Sequence, residues 1–144
     1  MKLLITDGQG GKMGRQIAEL CVVKFPKAQI VVVGTNTIAT SEMLKSGVKL
    51  GATGENAVVV NCRDADVIIG PIGIVIADSM LGEITPKMAL AVAQSGAHKV
   101  LIPSAKCNNT VAGVGNLTMS ELITDAVSKT EKIITELNGG KQCL

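Results

Sequence analysis

Short apolar runs alternate along this chain with longer segments in which apolar residues recur at helical spacing. The apolar runs predict buried strands over residues 2–6, 30–33, 67–70 and 100–102. Helical spacing predicts helices over residues 12–24, 40–46, 85–95 and 118–137. Two segments are less regular: residues 55–63 fit either a helix or a strand, and residues 110–114 predict a short edge strand.

Capping residues support the last two helices. Thr85 and Pro86 have the order of an N-cap followed by a first helical residue. Thr118 and Glu121 have the spacing of a capping box. The run at residues 138–140, Asn-Gly-Gly, predicts the end of the last helix.

The order of these elements predicts an α/β fold, a doubly wound and mostly parallel sheet with helices on both faces. Strands that alternate with helices form parallel sheets because each helix returns the chain to the same edge. The chain has 144 residues, 47% of them apolar, and has neither Trp nor Tyr. Its apolar content is therefore mainly aliphatic, as expected for strands buried on both faces. We expect one Rossmann-like domain with three layers, α/β/α, over residues 1–144.

Four glycines, at positions 8, 10, 11 and 14, lie where the first strand turns into the first helix. A strand that turns through glycines into a helix can hold a phosphate on the N–H groups of the helix N-terminus. The residues predicted to bind a nucleotide here are Asp7, Gly8, Gly10, Gly11, Lys12, Met13 and Gly14. Its phosphate would lie on the N–H groups of residues 10–13, and Gly11→Val or Gly14→Val would abolish binding by steric intrusion. The alternative is that the glycines only let the helix pack closely on the strand.

The spacing of these glycines narrows the kind of nucleotide loop. The pattern G-x-G-x-x-G fails because Met13 stands where the third glycine should be. A P-loop is excluded because Met13, rather than Ser or Thr, follows Lys12. The pattern G-x-x-G-x-x-G fits Gly8, Gly11 and Gly14 and is followed by Arg-Gln-Ile. In this form, over residues 1–20, the loop resembles that of dihydrodipicolinate reductases, which are NAD(P)H enzymes.

A second resemblance extends over the whole chain. The segments that carry it are DGQGGKMG, GTNTIATSEML, GATGEN, IIGPIGI and SMLGEIT. With these segments the chain resembles a small family of bacterial Rossmann-like proteins of unknown function. The resemblance implies the fold and a site at these loops, and it implies no activity.

Glycine also follows the second and third of the predicted strands. Ligands of doubly wound folds lie at the carboxyl ends of the strands. The loops at residues 7–14, 34–37 and 70–73 should therefore meet at one edge and form one pocket. The further residues predicted to line it are Thr35, Asn36, Thr37, Gly70, Pro71 and Gly73.

The end of the second strand favours NADP(H) over NAD(H). An NAD site carries Asp or Glu there to bind the ribose diol, whereas this chain has no carboxylate between Gly34 and Glu42. The hydroxyl and amide groups of residues 35–37 could donate hydrogen bonds to a 2′-phosphate, with Lys12 or Arg15 supplying positive charge. The alternative is that residues 35–37 only cap a helix.

Two other functions remain open. The spacing of Gly34, Thr35, Thr40 and Ser41 is similar to the phosphate-binding segment of methylglyoxal-synthase-like domains, which implies a small phosphorylated metabolite as the ligand. The chain could instead be a non-catalytic interaction or regulatory module that senses a nucleotide.

The sequence leaves open whether the chain is an enzyme. The candidates for a catalytic role are Asp78, Glu83 and Cys107. The two acids lie in an apolar segment, where burial can raise the pKa of a carboxyl, and Lys106 stands beside the cysteine. The alternative for the acids is that they are exposed or cap a helix.

Composition argues against several partners and sites. A formal net charge of +2 and a single aromatic residue, a Phe, argue against binding to nucleic acid. The longest uncharged apolar run, residues 67–77, contains Gly and Pro and is too short to span a membrane. The four cysteines are scattered without metal-binding spacing, so we expect no metal site and a cytoplasmic protein. Cys21 and Cys62 are expected in the core.

The length of the chain suggests self-association. A dehydrogenase needs a second wall for its substrate, and 144 residues leave no room for a second domain. We therefore expect a homo-oligomer, most simply a dimer, with the apolar residues 72–81 as the candidate interface.

Overall fold

The computed structural model of this chain describes residues 1–104 and 108–142, with side chains as far as residue 140. The five strands are β1 (Lys2–Asp7), β2 (Gln29–Gly34), β3 (Leu50–Thr53), β4 (Val67–Pro71) and β5 (His98–Ile102). The five α-helices are α1 (Lys12–Lys24), α2 (Thr37–Leu44), α3 (Glu55–Cys62), α4 (Pro86–Gln94) and α5 (Met119–Gln142). One 3₁₀ turn, Ile72–Val75, follows β4.

All five strands are parallel and lie in one sheet with the order β3-β2-β1-β4-β5. The order reverses beside β1, so the switch-point crevice opens between β1 and β4. The register aligns Asp7 with Gly34 and Gly34 with Thr53, which brings the ends of three neighbouring strands to one edge. The predicted fold class is confirmed: the protein is a Rossmann-like α/β fold.

Two hydrophobic clusters fill the two sides of the sheet. Leu3 and Ile5 of β1 face a cluster with α1, α2 and α5, whereas Leu4 faces a cluster with α3 and α4. Side chains alternate between the faces of a strand, so both faces of β1 are buried. This arrangement gives the three layers, and the apolar runs of the sequence follow from it.

The two buried cysteines are part of these clusters, as expected. Cys21 belongs to the first cluster and Cys62 to the second, and both are free thiols. Burial raises the pKa of Cys21 to about 12 and that of Cys62 to about 11. Both side chains therefore remain neutral thiols that fill space in the core.

The structure adds to the predicted elements near β3 and α2. Residues 50–53 form β3, which the sequence analysis does not predict, and of the two possibilities for residues 55–63 the structure shows a helix, over Glu55–Cys62. The first three residues of α2 were missed because Asn36, and not a residue near position 40, caps that helix. The strand β3 was missed because it is a four-residue edge strand whose side chains are largely exposed, so it lacks an apolar run.

Two predictions toward the C-terminus are wrong. Residues 110–114 form no strand. The helix α5 continues through residues 138–140 to Gln142. Glycine ends a helix where the chain turns to positive φ, and neither Gly139 nor Gly140 has a positive φ. Among the described residues, no helix is both long enough and apolar enough to cross a membrane.

Candidate functional site

The glycine-rich loop is shaped by close packing on its inner side. Gly11 has a φ of 72°, and a Cβ there would lie 2.7 Å from the Cα of Ala39. A Cβ on Gly14 would lie 2.5 Å from the Sδ of Met43 and 2.8 Å from the Cβ of Asp7. Both glycines are therefore required where α1 passes α2 and β1. The packing role that the sequence left open applies to these two positions.

The carboxylate of Asp7 holds the loop in this shape. Its Oδ1 accepts the N–H of Gly8 at 2.8 Å and its Oδ2 accepts the N–H of Gly14 at 2.7 Å. Burial raises the pKa of Asp7, and this effect outweighs the opposing hydrogen bonds from Gly14 and Gly8, while the charge of Glu83 adds to the rise. The residue is 5% exposed, so its carboxylate supports the loop from within.

Three N–H groups of the loop have no acceptor within the described residues. The loop bonds are those of Gly8, Gln9, Gly11 and Gly14. The N–H groups of Gly10, Lys12 and Met13 donate to none of the described atoms. The last two belong to the first turn of α1, where N–H groups have no partner inside the helix and the helix dipole is positive. These three N–H groups can therefore bind an anion by donating hydrogen bonds to it.

Lys12 is the cation available to such an anion. It is exposed at the start of α1 and forms no ion pair with any side chain that the structure describes. Arg15, the other cation considered from the sequence, is bound elsewhere. Its guanidinium donates to Glu19 at 2.8 Å and to Glu42 at 2.9 Å.

A cleft of about 650 Å³ opens beside the loop. The predicted site residues that line it are Asp7, Gly8, Gly10, Gly11, Lys12, Met13 and Pro71. The cleft is also lined by Gln9, which lies within the predicted loop at residues 7–14, and by residues that the sequence analysis does not place there: Gln16, Met80, Leu81, Ser104 and Met119. Helical spacing could have indicated Gln16, which lies one turn after Lys12 on α1. No local signal indicates Ser104, which follows β5, or Met119, which begins α5.

The structure does not bring the remaining predicted residues into this cleft. Gly70 is buried in β4, and a Cβ there would meet the carbonyl oxygen of Thr6. Gly70 is therefore a glycine of close packing. Gly73 is buried in the 3₁₀ turn and accepts the hydroxyl of Ser79 through its carbonyl group. Thr37 is exposed in the first turn of α2.

The polar groups at the end of β2 bind a carboxylate of the protein. The Oε1 of Glu83 accepts the hydroxyl of Thr35 at 2.7 Å and the side-chain amide of Asn36 at 2.5 Å. The same oxygen accepts the N–H of Gln9 at 3.0 Å. Asn36 also caps α2, since its Oδ1 accepts the N–H of Ala39 at 2.8 Å. The expectation that no carboxylate lies at this place is therefore wrong, because Glu83 reaches it from the loop after β4.

The hydrogen bonds to Glu83 keep it ionised. Burial on its own would raise the pKa of Glu83, but the donors from Thr35, Asn36 and Gln9 together hold it below its usual value. A carboxylate with this pKa is charged at neutral pH and accepts hydrogen bonds without donating any. This state does not suit a general acid.

The other catalytic candidates have no supporting geometry. Asp78 is exposed in a turn and has a φ of 64°. Cys107 lies outside the described residues. Over residues 1–104 and 108–142, no three His, Cys, Asp or Glu side chains come together as metal ligands would.

The candidate interface at residues 72–81 is only partly exposed. Ile74 is fully buried and Gly73 is buried, whereas Leu81 is 98% exposed. Ala77 and Asp78 are also exposed, and the other residues of the segment are half-buried. The homo-oligomer with this segment as its interface stays a prediction.

Comparison with known proteins supports the family. A family model described as Domain of unknown function (DUF3842) matches residues 2–135. Comparison with curated protein sequences gives no match. A similar solved structure is that of a dodecameric FMN-dependent Ubix-like decarboxylase from Escherichia coli O157:H7. It is 17% identical with a TM-score of 0.46, and the match covers 90% of this chain and 76% of that chain. At this similarity no property of that enzyme is carried over to this chain.

Proposed function

This chain belongs to the family described as Domain of unknown function (DUF3842), and we propose that it binds a phosphorylated nucleotide through the loop after β1. The observation that carries the proposal is the group of three N–H donors, on Gly10, Lys12 and Met13, that have no acceptor among the described residues. All three residues line the cleft. A phosphate there would receive backbone hydrogen bonds and the positive end of the α1 dipole.

The proposal gives Lys12 the role of the charged partner. Its ammonium group is unpaired within the described part of the chain, and its residue begins the helix. A cation at this position offsets the carboxylate of Asp7, which lies beneath the loop and would repel an anion. Lys12 therefore binds the phosphate together with the N–H groups.

The more specific ligand that the sequence favoured, NADP(H), loses its main support. That preference rested on an end of β2 without a carboxylate, and Glu83 supplies one there. A fixed negative charge disfavours a 2′-phosphate, and Thr35 and Asn36 already donate to Glu83. We therefore propose the phosphorylated nucleotide as the ligand class, with NADP(H) as one member to be tested.

The alternative with a small metabolite bound at residues 34–41 has less support. The hydroxyl group of Thr40 contacts the carbonyl oxygens of Asn36 and Ala52 and lies 2.7 Å from the hydroxyl of Thr53. With Thr35 bound to Glu83, two of the hydroxyls expected to bind that phosphate, those of Thr35 and Thr40, already contact protein atoms. A regulatory role without catalysis is compatible with the proposal, since binding needs no reaction.

The test is calorimetric titration of the purified chain with AMP, NMN, FMN, NAD(H) and NADP(H). The variants are Gly10→Val and Lys12→Gln, and the control is Lys27→Gln, which removes an exposed lysine from the opposite end of the sheet. We expect Lys12→Gln to weaken binding about tenfold, which equals about 1.4 kcal/mol, and Gly10→Val to weaken it more. Lys27→Gln should bind as the wild type does. Binding that both site variants leave unchanged would contradict the proposal.

A further inference from the structure

Residues 78–83, called here the crossing segment, carry the chain from the loop after β4 toward the end of β2. The backbone of this segment adopts an uncommon conformation, since Asp78, Met80 and Leu81 all have a positive φ. Residues other than glycine rarely adopt a positive φ, so surrounding contacts must hold these three residues in that conformation. One such contact is the hydrogen bond of 2.8 Å from the N–H of Asp78 to the carbonyl of Ile84.

The crossing segment is anchored at its end by Glu83. One oxygen of this side chain accepts three hydrogen bonds, from Gln9, Thr35 and Asn36. These donors lie in the loops after β1 and β2, so a single carboxylate joins three loops at the edge of the sheet. Its other oxygen accepts no hydrogen bond from the residues that the structure describes.

The middle of the crossing segment lies on the glycine-rich loop. A Cβ built on Gly8 would lie 2.7 Å from the Sδ of Met80 and 3.5 Å from the Oε1 of Glu83. The segment thus lies over the end of β2, and its Met80 and Leu81 line the cleft together with Gly8. Neither Thr35 nor Asn36 lines the open cleft.

The open part of the cleft extends in the other direction. Beyond the glycine-rich loop it is lined by Pro71 at the end of β4, by Ser104 after β5 and by Met119 at the start of α5. A ligand with its phosphate on the loop would therefore extend toward β4 and β5.

A dinucleotide needs both directions. In a doubly wound fold it lies across the crevice, with its pyrophosphate at the helix N-terminus and one ribose at the end of the second strand. In this chain the crossing segment occupies that end: Glu83 binds Thr35 and Asn36 there in place of a ribose, and Met80 lies on Gly8. Resting on the phosphate site proposed above, we infer that the cleft takes a mononucleotide, or a phosphate monoester of similar size, and excludes a dinucleotide.

The test compares mononucleotides with the dinucleotides built from them. The wild-type chain is titrated calorimetrically with AMP, GMP, UMP, CMP, NMN, FMN, NAD and NADP. We expect at least one mononucleotide to bind ten times more tightly than either dinucleotide. If NAD or NADP binds as tightly as the best mononucleotide, the inference is overturned while the phosphate site stands. If none of these compounds binds, the proposed function fails and the inference fails with it.

A variant tests the role of the crossing segment directly. Glu83→Ala removes the anchor, and Glu131→Ala, on the exposed surface of α5, is the control. We expect Glu83→Ala to raise the affinity for NAD at least tenfold and to change that for the mononucleotide less than threefold, whereas the control changes neither. Circular dichroism and the unfolding midpoint identify a variant that has lost its fold. If a folded Glu83→Ala chain still excludes NAD, the segment does not set the size of the ligand and the inference is overturned.

Discussion

The carboxylate of Asp7 accepts the N–H of Gly14 at 2.7 Å and so joins the last residue of β1 to the first turn of α1. The same side chain accepts the N–H of Gly8, which closes the loop between them. Asp7, which the sequence predicts to contact the ligand, thus stabilises the loop from beneath. The loop presents its unpaired N–H groups outward because the inner ones are bound to Asp7.

Replacing Asp7 should destabilise the fold. Asp7→Ala leaves the N–H groups of Gly8 and Gly14 without their acceptor, and an unsatisfied buried polar group costs about 1–3 kcal/mol. Burial of the carboxylate is itself unfavourable, and for this reason the pKa of Asp7 is raised. Removing the carboxylate relieves this cost and so offsets part of the loss. We expect a net loss of about 2 kcal/mol in the free energy of unfolding, measured by urea denaturation. Asp125→Ala, an exposed control on α5, should change it by less than about 0.5 kcal/mol. An equal effect of the two variants would contradict this role of Asp7.

Substitutions in the glycine-rich loop should separate stability from binding. At Gly11 a side chain would meet the backbone of Ala39, and the residue has a φ of 72°, so Gly11→Ala should lower stability by about 1–3 kcal/mol. At Gly10 a Cβ would meet nothing within 4 Å, so Gly10→Ala should fold with nearly wild-type stability. Thermal unfolding of the two variants beside the wild type measures this difference. Equal midpoints for the two variants would show that the loop adapts to a side chain at Gly11.

This difference also corrects an expectation about the loop. From the sequence, Gly11→Val or Gly14→Val should block the ligand directly. In the structure their side chains would enter the protein, at Ala39 and Met43. Loss of binding in those variants would therefore report damage to the fold. Gly10 is the position that tests the ligand site.

The charge of Glu83 should stabilise the fold in a pH-dependent way. Hydrogen bonds hold the pKa of Glu83 below its usual value in the folded chain. The stability that it contributes is therefore full above the unfolded pKa, which is about 4.3, and is lost as the pH falls through the lower folded value. Glu83→Gln keeps an acceptor oxygen without the charge. The melting temperature of the wild type should exceed that of Glu83→Gln at pH 7, and the difference should shrink below pH of about 4.

The control for this experiment is Glu131→Gln, which removes an exposed acid of α5 that pairs with Lys24. Exposed ion pairs contribute little, so this variant should follow the wild type at both pH values. A difference between wild type and Glu83→Gln that stays constant with pH would show that the charge of Glu83 is not responsible.

The sequence was sufficient for the fold class because strands buried on both faces leave a strong pattern. Leu3, Leu4 and Ile5 are all fully buried, and such runs are read directly as central strands of a parallel sheet. The edge strand β3 leaves no such pattern, because only one neighbour pairs with it and its side chains are largely exposed. The C-terminal end of α5 was also predicted wrongly, because a glycine ends a helix only where its φ is positive, and the sequence does not give φ.

The candidate site could be predicted only as far as it is local. Residues 7–14 form a loop whose spacing encodes its conformation, and most of them line the cleft. Glu83 binds Thr35 across 48 positions of sequence, a relationship that depends on the path of the chain after β4. The predicted preference for NADP(H) depended on the absence of an acid from the loop after β2. It lost this support because Glu83, from the loop after β4, supplies an acid at the same place.

Removing the hydroxyl of Thr6 should stabilise the protein. Thr6 is fully buried in β1, and its Oγ1 is the one buried side-chain polar atom without a hydrogen-bond partner among the described residues. Thr6→Val keeps the shape of the side chain and the β-branched preference for a strand while it removes the unsatisfied hydroxyl. We therefore expect the free energy of unfolding to rise by about 1 kcal/mol. The matched variant is Thr130→Val, since Thr130 is equally buried but its hydroxyl donates to the carbonyl of Ala126 at 2.8 Å. That variant should gain nothing or lose up to about 1 kcal/mol. Urea denaturation of both variants measures the difference, and a loss of stability in Thr6→Val would mean that a bound water or ligand satisfies this hydroxyl.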